Sequence, residues 1–373
     1  MLFIIPHGFE PNYTVGFVKG LAANGISFCV ISSDVDEIRL NGANIDNVNL
    51  RGSQNSKRLP IIKAITILKY YLKLGTLLVK NRGSVVHFTG IFGNASILID
   101  GIFLNAFLKF IGRRYIYTAH NSLPHGKEKS KFFEWIYNIA YKMPDNIVVH
   151  TEQTKRELIN RFSVHEGKVT VISIGINEEM PISGMTLQEA RSRLGLSEQD
   201  NVILFFGKAD EYKGLDTLIS AFDIIGVPNA KLLISGWFPS RNYRRKITNA
   251  ISASNRRDDI ILREGFIRNE EVEVLFKASD VVALPYRHIY QSGVVFLCYH
   301  FGKPVVSTDV GSLREFLGDG LGIVAETNDV EGFAKSLKHF FENKDQFISS
   351  KIIEKTRKYK WEEICNKLLP LYQ

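Results

Sequence analysis

Val202-Ile-Leu-Phe-Phe206 runs straight into Gly207-Lys-Ala-Asp-Glu-Tyr-Lys-Gly214, and that into the apolar, helix-period stretch from Leu215 to Ile225. The first run is five apolar residues, the pattern of a strand buried on both faces. A glycine then permits a tight turn, and a second glycine opens a helix whose free N–H groups favour an anion. Strand, glycine loop and helix in that order are the unit from which open parallel sheets are built. Lys208 and Lys213 stand in the loop and can reach one anion, together neutralising a diphosphate. Two solvated lysines in a surface loop have the same composition, and the stretch alone does not choose. The GxxxxGK[ST] order of a Walker loop is absent.

The same alternation extends outward on both sides. Leu2–Pro6, Phe28–Ser32, Val85–Thr89, Tyr115–Ala119 and Asn146–His150 read as buried strands, with helical patterns at Thr14–Ala23, Leu59–Lys80, Ser96–Phe110 and Lys131–Lys142. A second set follows: strands at Val202–Phe206, Ala230–Ser235, Ile260–Arg263, Val281–Pro285 and Pro304–Ser307, alternating with helices. Val171-Ile-Ser-Ile-Gly-Ile-Asn177 and the strandless stretch Glu178–Ser197 separate the sets and read as a linker. The expectation is an α/β chain of two doubly wound, Rossmann-like domains facing a central cleft. Parallel sheets keep their ligands at the carboxyl ends of the strands.

Composition narrows the class. With 373 residues, 45% hydrophobic and 23% charged, the chain suits two globular domains and excludes disorder. Cys29, Cys298 and Cys365 lie far apart, so neither a disulfide framework nor a zinc site is expected and a reducing compartment fits. No apolar run reaches membrane-spanning length, and the N-terminus lacks the basic start of a signal peptide. The net charge of +8 calls for an anionic partner: nucleic acid, an anionic membrane or a phosphate-bearing substrate. Lys57-Arg58, and Lys63, Lys69, Lys73 and Lys80 interleaved with Ile, Leu and Tyr, suit a membrane surface. They equally suit the outer face of a helix packed on a sheet.

Three further stretches carry chemistry. Tyr290-Gln-Ser-Gly-Val-Val295 enters an apolar helix, with Ser292 read as its N-cap and the amides of Gly293 and Val294 open to a phosphate. A capped buried helix with no ligand has the same signature. Tyr117-Thr-Ala-His-Asn121 places His120 where a strand ends, in reach of a sugar hydroxyl or of a group near a reacting carbon, though a lone histidine is more often structural. His125 is a weaker candidate nearby. Gly8, in Pro6-His-Gly-Phe-Glu-Pro-Asn12, permits close backbone approach to a ligand.

Taken in order, these residues resemble the family 4 retaining glycosyltransferases, whose fold is GT-B. The resemblance covers nearly the whole chain. Besides the stretches above it includes Val148-Val-His-Thr-Glu152, Leu233-Ile-Ser-Gly-Trp237, Ala278-Ser-Asp-Val-Val-Ala-Leu-Pro-Tyr286 and Phe301-Gly-Lys-Pro-Val-Val306. It implies an N-terminal acceptor-side domain over 1–175, a nucleotide-sugar domain over 176–355, and a terminal helix, 356–373, crossing back to the first. It implies that Lys208 and Lys213 hold the donor diphosphate, that Gly207, Ser292, Gly293 and Val294 frame it, that Gly8 approaches it, and that His120 contacts the donor sugar. At Lys208 the family usually has arginine, so the charge is kept and the bidentate fork lost. The family's paired glutamates fall on Ile289 and Leu297, which cannot replace them; a Gln291-Ser-Gly element stands there, as in one branch of the family, and Glu315 is a candidate substitute contact for the sugar.

The resulting expectation is a retaining, metal-independent hexosyltransferase at the cytoplasmic face of a bacterial inner membrane. Its donor is a UDP- or GDP-sugar, UDP favoured, and it uses no cofactor. The acceptor is a glycan or a polyprenyl-diphosphate-linked sugar in surface polysaccharide or lipopolysaccharide synthesis, and nucleic acid is not a partner. The rivals are a sugar-nucleotide epimerase of the same fold, which needs carboxylates at its site, and a non-catalytic basic glycan-binding protein.

Overall fold

The computed structural model describes residues 1–6, 11–34, 45–53, 59–90, 99–124 and 130–373. They form two compact units, Met1–Gly175 with Tyr359–Gln373, and Ile176–Lys358.

The first unit is a seven-stranded, all-parallel sheet in the order β3-β2-β1-β4-β5-β6-β7. Its strands are β1 (Leu2–Ile5), β2 (Phe28–Ser32), β3 (Asp46–Asn49), β4 (Val85–Phe88), β5 (Arg114–Ala119), β6 (Asn146–Val149) and β7 (Val169–Val171). Their helices are α1 (Pro11–Ala23), α2 (Pro60–Lys80), α3 (Asn105–Phe110), preceded by wide π-type turns over Ile99–Leu104, α4 (Lys131–Lys142) and α5 (Glu152–Phe162). Successive strand residues point to opposite faces, and both faces are apolar. Phe3, Ile5, Ile31, Val86, Phe88, Tyr117 and Val149 enter one core, and Leu2, Ile4, Val30, Ile116 and Val148 the other. This is why the strands read as unbroken apolar runs rather than alternating ones.

The second core also takes Trp361, Ile364, Cys365 and Leu368 from the chain's last segment. Here α14 (Trp361–Asn366) lies along α1. A Cβ on Gly16 would stand 2.0 Å from the Trp361 ring and one on Gly20 2.5 Å from its carbonyl oxygen, so both glycines are required for the close approach.

The second unit is a six-stranded parallel sheet, order β10-β9-β8-β11-β12-β13. Its strands are β8 (Asn201–Phe206), β9 (Ala230–Gly236), β10 (Ile260–Glu264), β11 (Val281–Leu284), β12 (Val305–Ser307) and β13 (Gly322–Val324). Helices α6 (Leu187–Arg193), α7 (Leu215–Ile224), α8 (Arg241–Ala253), α9 (Asn269–Ala278), α10 (Gly293–His300), α11 (Leu313–Leu317), α12 (Val330–Glu342) and α13 (Ser349–Lys355) complete it. The chain reverses its strand order between β8 and β11, the place where such sheets open a crevice at their carboxyl ends.

The stretch expected to be linker is more ordered than its sequence implies. Val171 ends β7, and Ile172 N–H still donates to Val149 O at 2.9 Å. Within 178–197, α6 begins at a capping box in which Thr186 and Glu189 satisfy each other's backbone. No helix among the described residues is long and apolar enough to cross a membrane.

Candidate active site

The loop after β8 is shaped by glycine. Gly207 has φ +96°, and its carbonyl lies where a Cβ on Gly236 would stand, 1.7 Å away. Gly214, φ +65°, would put a Cβ 2.0 Å from Pro285 O, so the loop touches the segment leaving β11. Between them Glu211–Lys213 makes one 3-10 turn, capped by Asp210, whose carboxylate accepts from Glu211 N–H at 2.9 Å.

The two lysines differ. Lys208 Nζ donates to Asp210 Oδ2 at 2.8 Å and its side chain is 40% exposed. Lys213 is 8% exposed, and its ammonium has no hydrogen-bond acceptor or ion-pair partner among the described residues. Its neighbour is the face of Tyr286, 5.5 Å away. Burial lowers its pKa to about 8, with Lys208 adding repulsion and Asp210 opposing. A buried cation without a counter-charge is costly, and an arriving anion would relieve that cost.

An ion cluster holds the loop in place. Arg287 donates to Glu211 O at 2.7 Å and to Asp216 Oδ2 at 2.6 Å, and its N–H donates to Tyr212 O at 2.7 Å. Asp216 also accepts from Lys246 at 2.7 Å and from Tyr243 OH at 2.9 Å. Burial pushes the Asp216 carboxyl up, but the bonds from Arg287, Lys246 and Tyr243 outweigh it and hold it well below the usual carboxylate range.

At α10 the structure corrects one expectation. Ser292 occupies the N-cap position, but its hydroxyl makes no capping bond; it meets Tyr286 OH at 3.2 Å, because the side chain is drawn into the core beneath the loop. Gly293 is exposed and Val294 half-buried. Glu315 lies exposed on α11, and Gln291 is half-buried beside Ser292. Ile289 is 7% exposed, and its carbonyl seats Gly311 (φ +58°), so this position serves packing.

In the first unit, three histidines at neighbouring strands meet. His120, half-buried after β5, has Nε2 at 2.7 Å from Thr89 O and Nδ1 at 3.2 Å from His150 Nε2. His150, after β6, has Nδ1 at 3.1 Å from Ile172 O. His87 on β4 lies between Tyr372 OH at 2.7 Å and Thr118 Oγ1 at 2.8 Å. Burial, then charge on His120, lowers His87 to about 3, so it is neutral. Tyr13 sets its ring edge-on to both His120 and His150, 4.7 and 5.4 Å between centroids. Gly8 and His125 lie outside the described residues.

Two family models divide the chain between them. Residues 11–180 match Glycosyltransferase Family 4 and residues 187–359 match Glycosyl transferases group 1. Each half of the chain thus matches a glycosyltransferase domain model. An uncharacterized glycosyltransferase of Methanocaldococcus jannaschii is 25% identical to it over 237 residues, 61% of this chain and 59% of the relative. A D-inositol 3-phosphate glycosyltransferase of Corynebacterium aurimucosum is 24% identical over 246 residues, 61% of this chain and 56% of the relative. The match thus spans a little over half the length of these curated relatives. Among solved structures, Anabaena HepE in complex with UDP superposes with a TM-score of 0.75 at 14% identity, covering 99% of each chain. That likeness concerns the fold, which is GT-B.

Within the second unit, Gly207, Lys213, Pro285 and Tyr286 stand together where β8 and β11 end, whereas Glu315 lies on α11, beyond β12. Tyr286, Arg287 and Asp216 escaped sequence reading, since nothing local marks residues 71 apart as partners. Exposed Phe266, just past the end of β10, also went unmarked.

Proposed function

We propose that the protein transfers a hexose from a nucleotide diphosphate sugar to a hydroxyl of a glycan or lipid-linked oligosaccharide in bacterial surface polysaccharide synthesis, with retention. The observation that carries this is Lys213: a buried cation, without an ion-pair partner among the described residues, at the crevice where a doubly wound sheet takes its ligand. A diphosphate is the ligand whose charge it lacks. Lys208, released from Asp210, and the amides of Gly293 and Val294 add to the same charge. Stabilising the leaving diphosphate lowers the barrier electrostatically, with no metal required. His120 serves the donor sugar, and Gln291 and Glu315 stand in for the family's glutamates. UDP is favoured as the nucleotide, in line with the UDP complex of the Anabaena relative in fold.

A thermal-shift panel of UDP, GDP, ADP and their sugars tests the donor class, since a ligand of the native state raises the melting temperature. UDP and UDP-hexose should give the largest rise, and no rise with any nucleotide diphosphate would refute the reading. Transfer should persist in excess chelator; loss reversed by Mn²⁺ would overturn the metal-free mechanism.

The acceptor side is read from α2. Ile61, Ile65, Leu68 and Leu72 are 65%, 48%, 60% and 64% exposed, and the helix carries Lys63, Lys69, Lys73 and Lys80 with no acidic residue. Such a face suits an anionic bilayer, to which each lysine near the surface contributes about 1 kcal/mol. The protein is then peripheral, on the cytoplasmic side of the inner membrane. Sedimentation with phosphatidylglycerol vesicles but not with phosphatidylcholine vesicles is expected, and Lys69→Glu with Lys73→Glu should release it. Equal binding to both vesicles, or to neither, would rule this surface out.

A further inference from the structure

The His120–His150 contact has a proton count that does not close for two neutral rings. His120 Nε2 faces Thr89 O at 2.7 Å and His150 Nδ1 faces Ile172 O at 3.1 Å. A carbonyl oxygen only accepts, so each of these nitrogens carries hydrogen. Two neutral imidazoles have two ring hydrogens between them, and both are then committed outward. His120 Nδ1 and His150 Nε2 are left lone pair to lone pair at 3.2 Å, a hydrogen-bond distance.

We propose that His120 and His150 form a proton-sharing dyad, with His150 the positioning residue that fixes the tautomer and ring rotation of His120. A third proton between Nδ1 and Nε2 completes the set, giving one imidazolium hydrogen-bonded to one imidazole. With only two protons the dyad gives up one carbonyl bond. The longer contact, to Ile172, is the weaker, so His150 reverses its tautomer and donates Nε2–H to His120. Falling pH restores the lost bond and adds one positive charge.

The surroundings set where this happens. Burial is the main influence pushing His150 well below the usual histidine value, followed by charge on His120, while the Ile172 carbonyl pulls the other way. His87 on β4 repels a further charge on His150, and the Tyr13 ring on α1 lies edge-on to both histidines. Burial around His150 therefore opposes the charge that the third proton brings. Its meaning for catalysis rests on the reading that His120 serves the donor sugar; the dyad itself does not.

The test is the pH titration of the imidazole Cε1–H signals of the full chain by NMR, assigned with single histidine variants. In the native protein His120 and His150 should move together at one midpoint, as coupled groups do. In His150→Phe the third proton has no acceptor, and the His120 midpoint should shift to lower pH. In His150→Gln, whose amide donates or accepts, the joint titration should vanish while sugar transfer stays nearer the native rate than in His150→Phe. Separate midpoints in the native chain, or an unchanged His120 titration in both variants, would overturn the dyad. A chain with coupled histidines but no transfer keeps the dyad and fails the functional reading.

Discussion

Lys213 shows what one residue contributes. Its folded pKa, about 8, lies below the ordinary 10.5, so the unfolded chain binds more protons between those values and stability should rise as pH goes from 8 to 10.5. Lys213→Met removes the buried charge and should flatten that rise, measured as melting temperature against pH, without lowering the melting temperature at pH 7. UDP acts in the opposite sense. A bound diphosphate favours the charged amine, so UDP affinity should hold to about pH 8 and then fall, at most about tenfold per pH unit for one proton. Both lysines were legible in the sequence as a pair. That Asp210 takes one and leaves the other bare was not, because pairing depends on where a turn points each side chain. The histidine cluster was less legible still. His87 and Thr118, and His120 and His150, are 31 and 30 residues apart, and only a parallel sheet brings them side by side.

At the scale of elements, the site depends on how loops are seated on strand ends. Replacing Asp216 by Ala leaves Arg287 and Lys246 without their carboxylate. As both are partly exposed, the expected loss is about 1–2 kcal/mol by denaturant unfolding, with weaker UDP binding as the Lys213 loop loosens. Gly214→Ala is more severe, since φ +65° and the 2.0 Å approach to Pro285 O forbid a side chain without moving the loop. Glycine loops and central strands could be read from sequence because each leaves a local mark, a positive-φ residue or an unbroken apolar run. The strands missed, β3, β7 and β13, all lie at sheet edges. β3 is Asp-Asn-Val-Asn and the other two have three residues each, so their pairing comes from the neighbouring strand rather than from their own apolar pattern.

At the scale of the whole molecule, the chain leaves its first unit at Gly175 and re-enters it at Tyr359. Trp361, 4% exposed and set against Gly16, Gly20 and Gly175, is the anchor of that return. Trp361→Ala should cost about 3–5 kcal/mol, read as an early unfolding step of the first unit in calorimetry, with the second unit's transition unmoved. Two parallel sheets were readable from the repeat of strand and helix; the functional class came from ordered motifs, and the sugar and acceptor have no motif to read. The donor site therefore decides the function. Calorimetric titration of UDP into the native chain and into Lys213→Met at pH 7 tests it most directly. Saturable, one-to-one binding to the native chain is expected, and Lys213→Met should abolish it while remaining folded. Native-like UDP affinity in the folded Lys213→Met chain would contradict it.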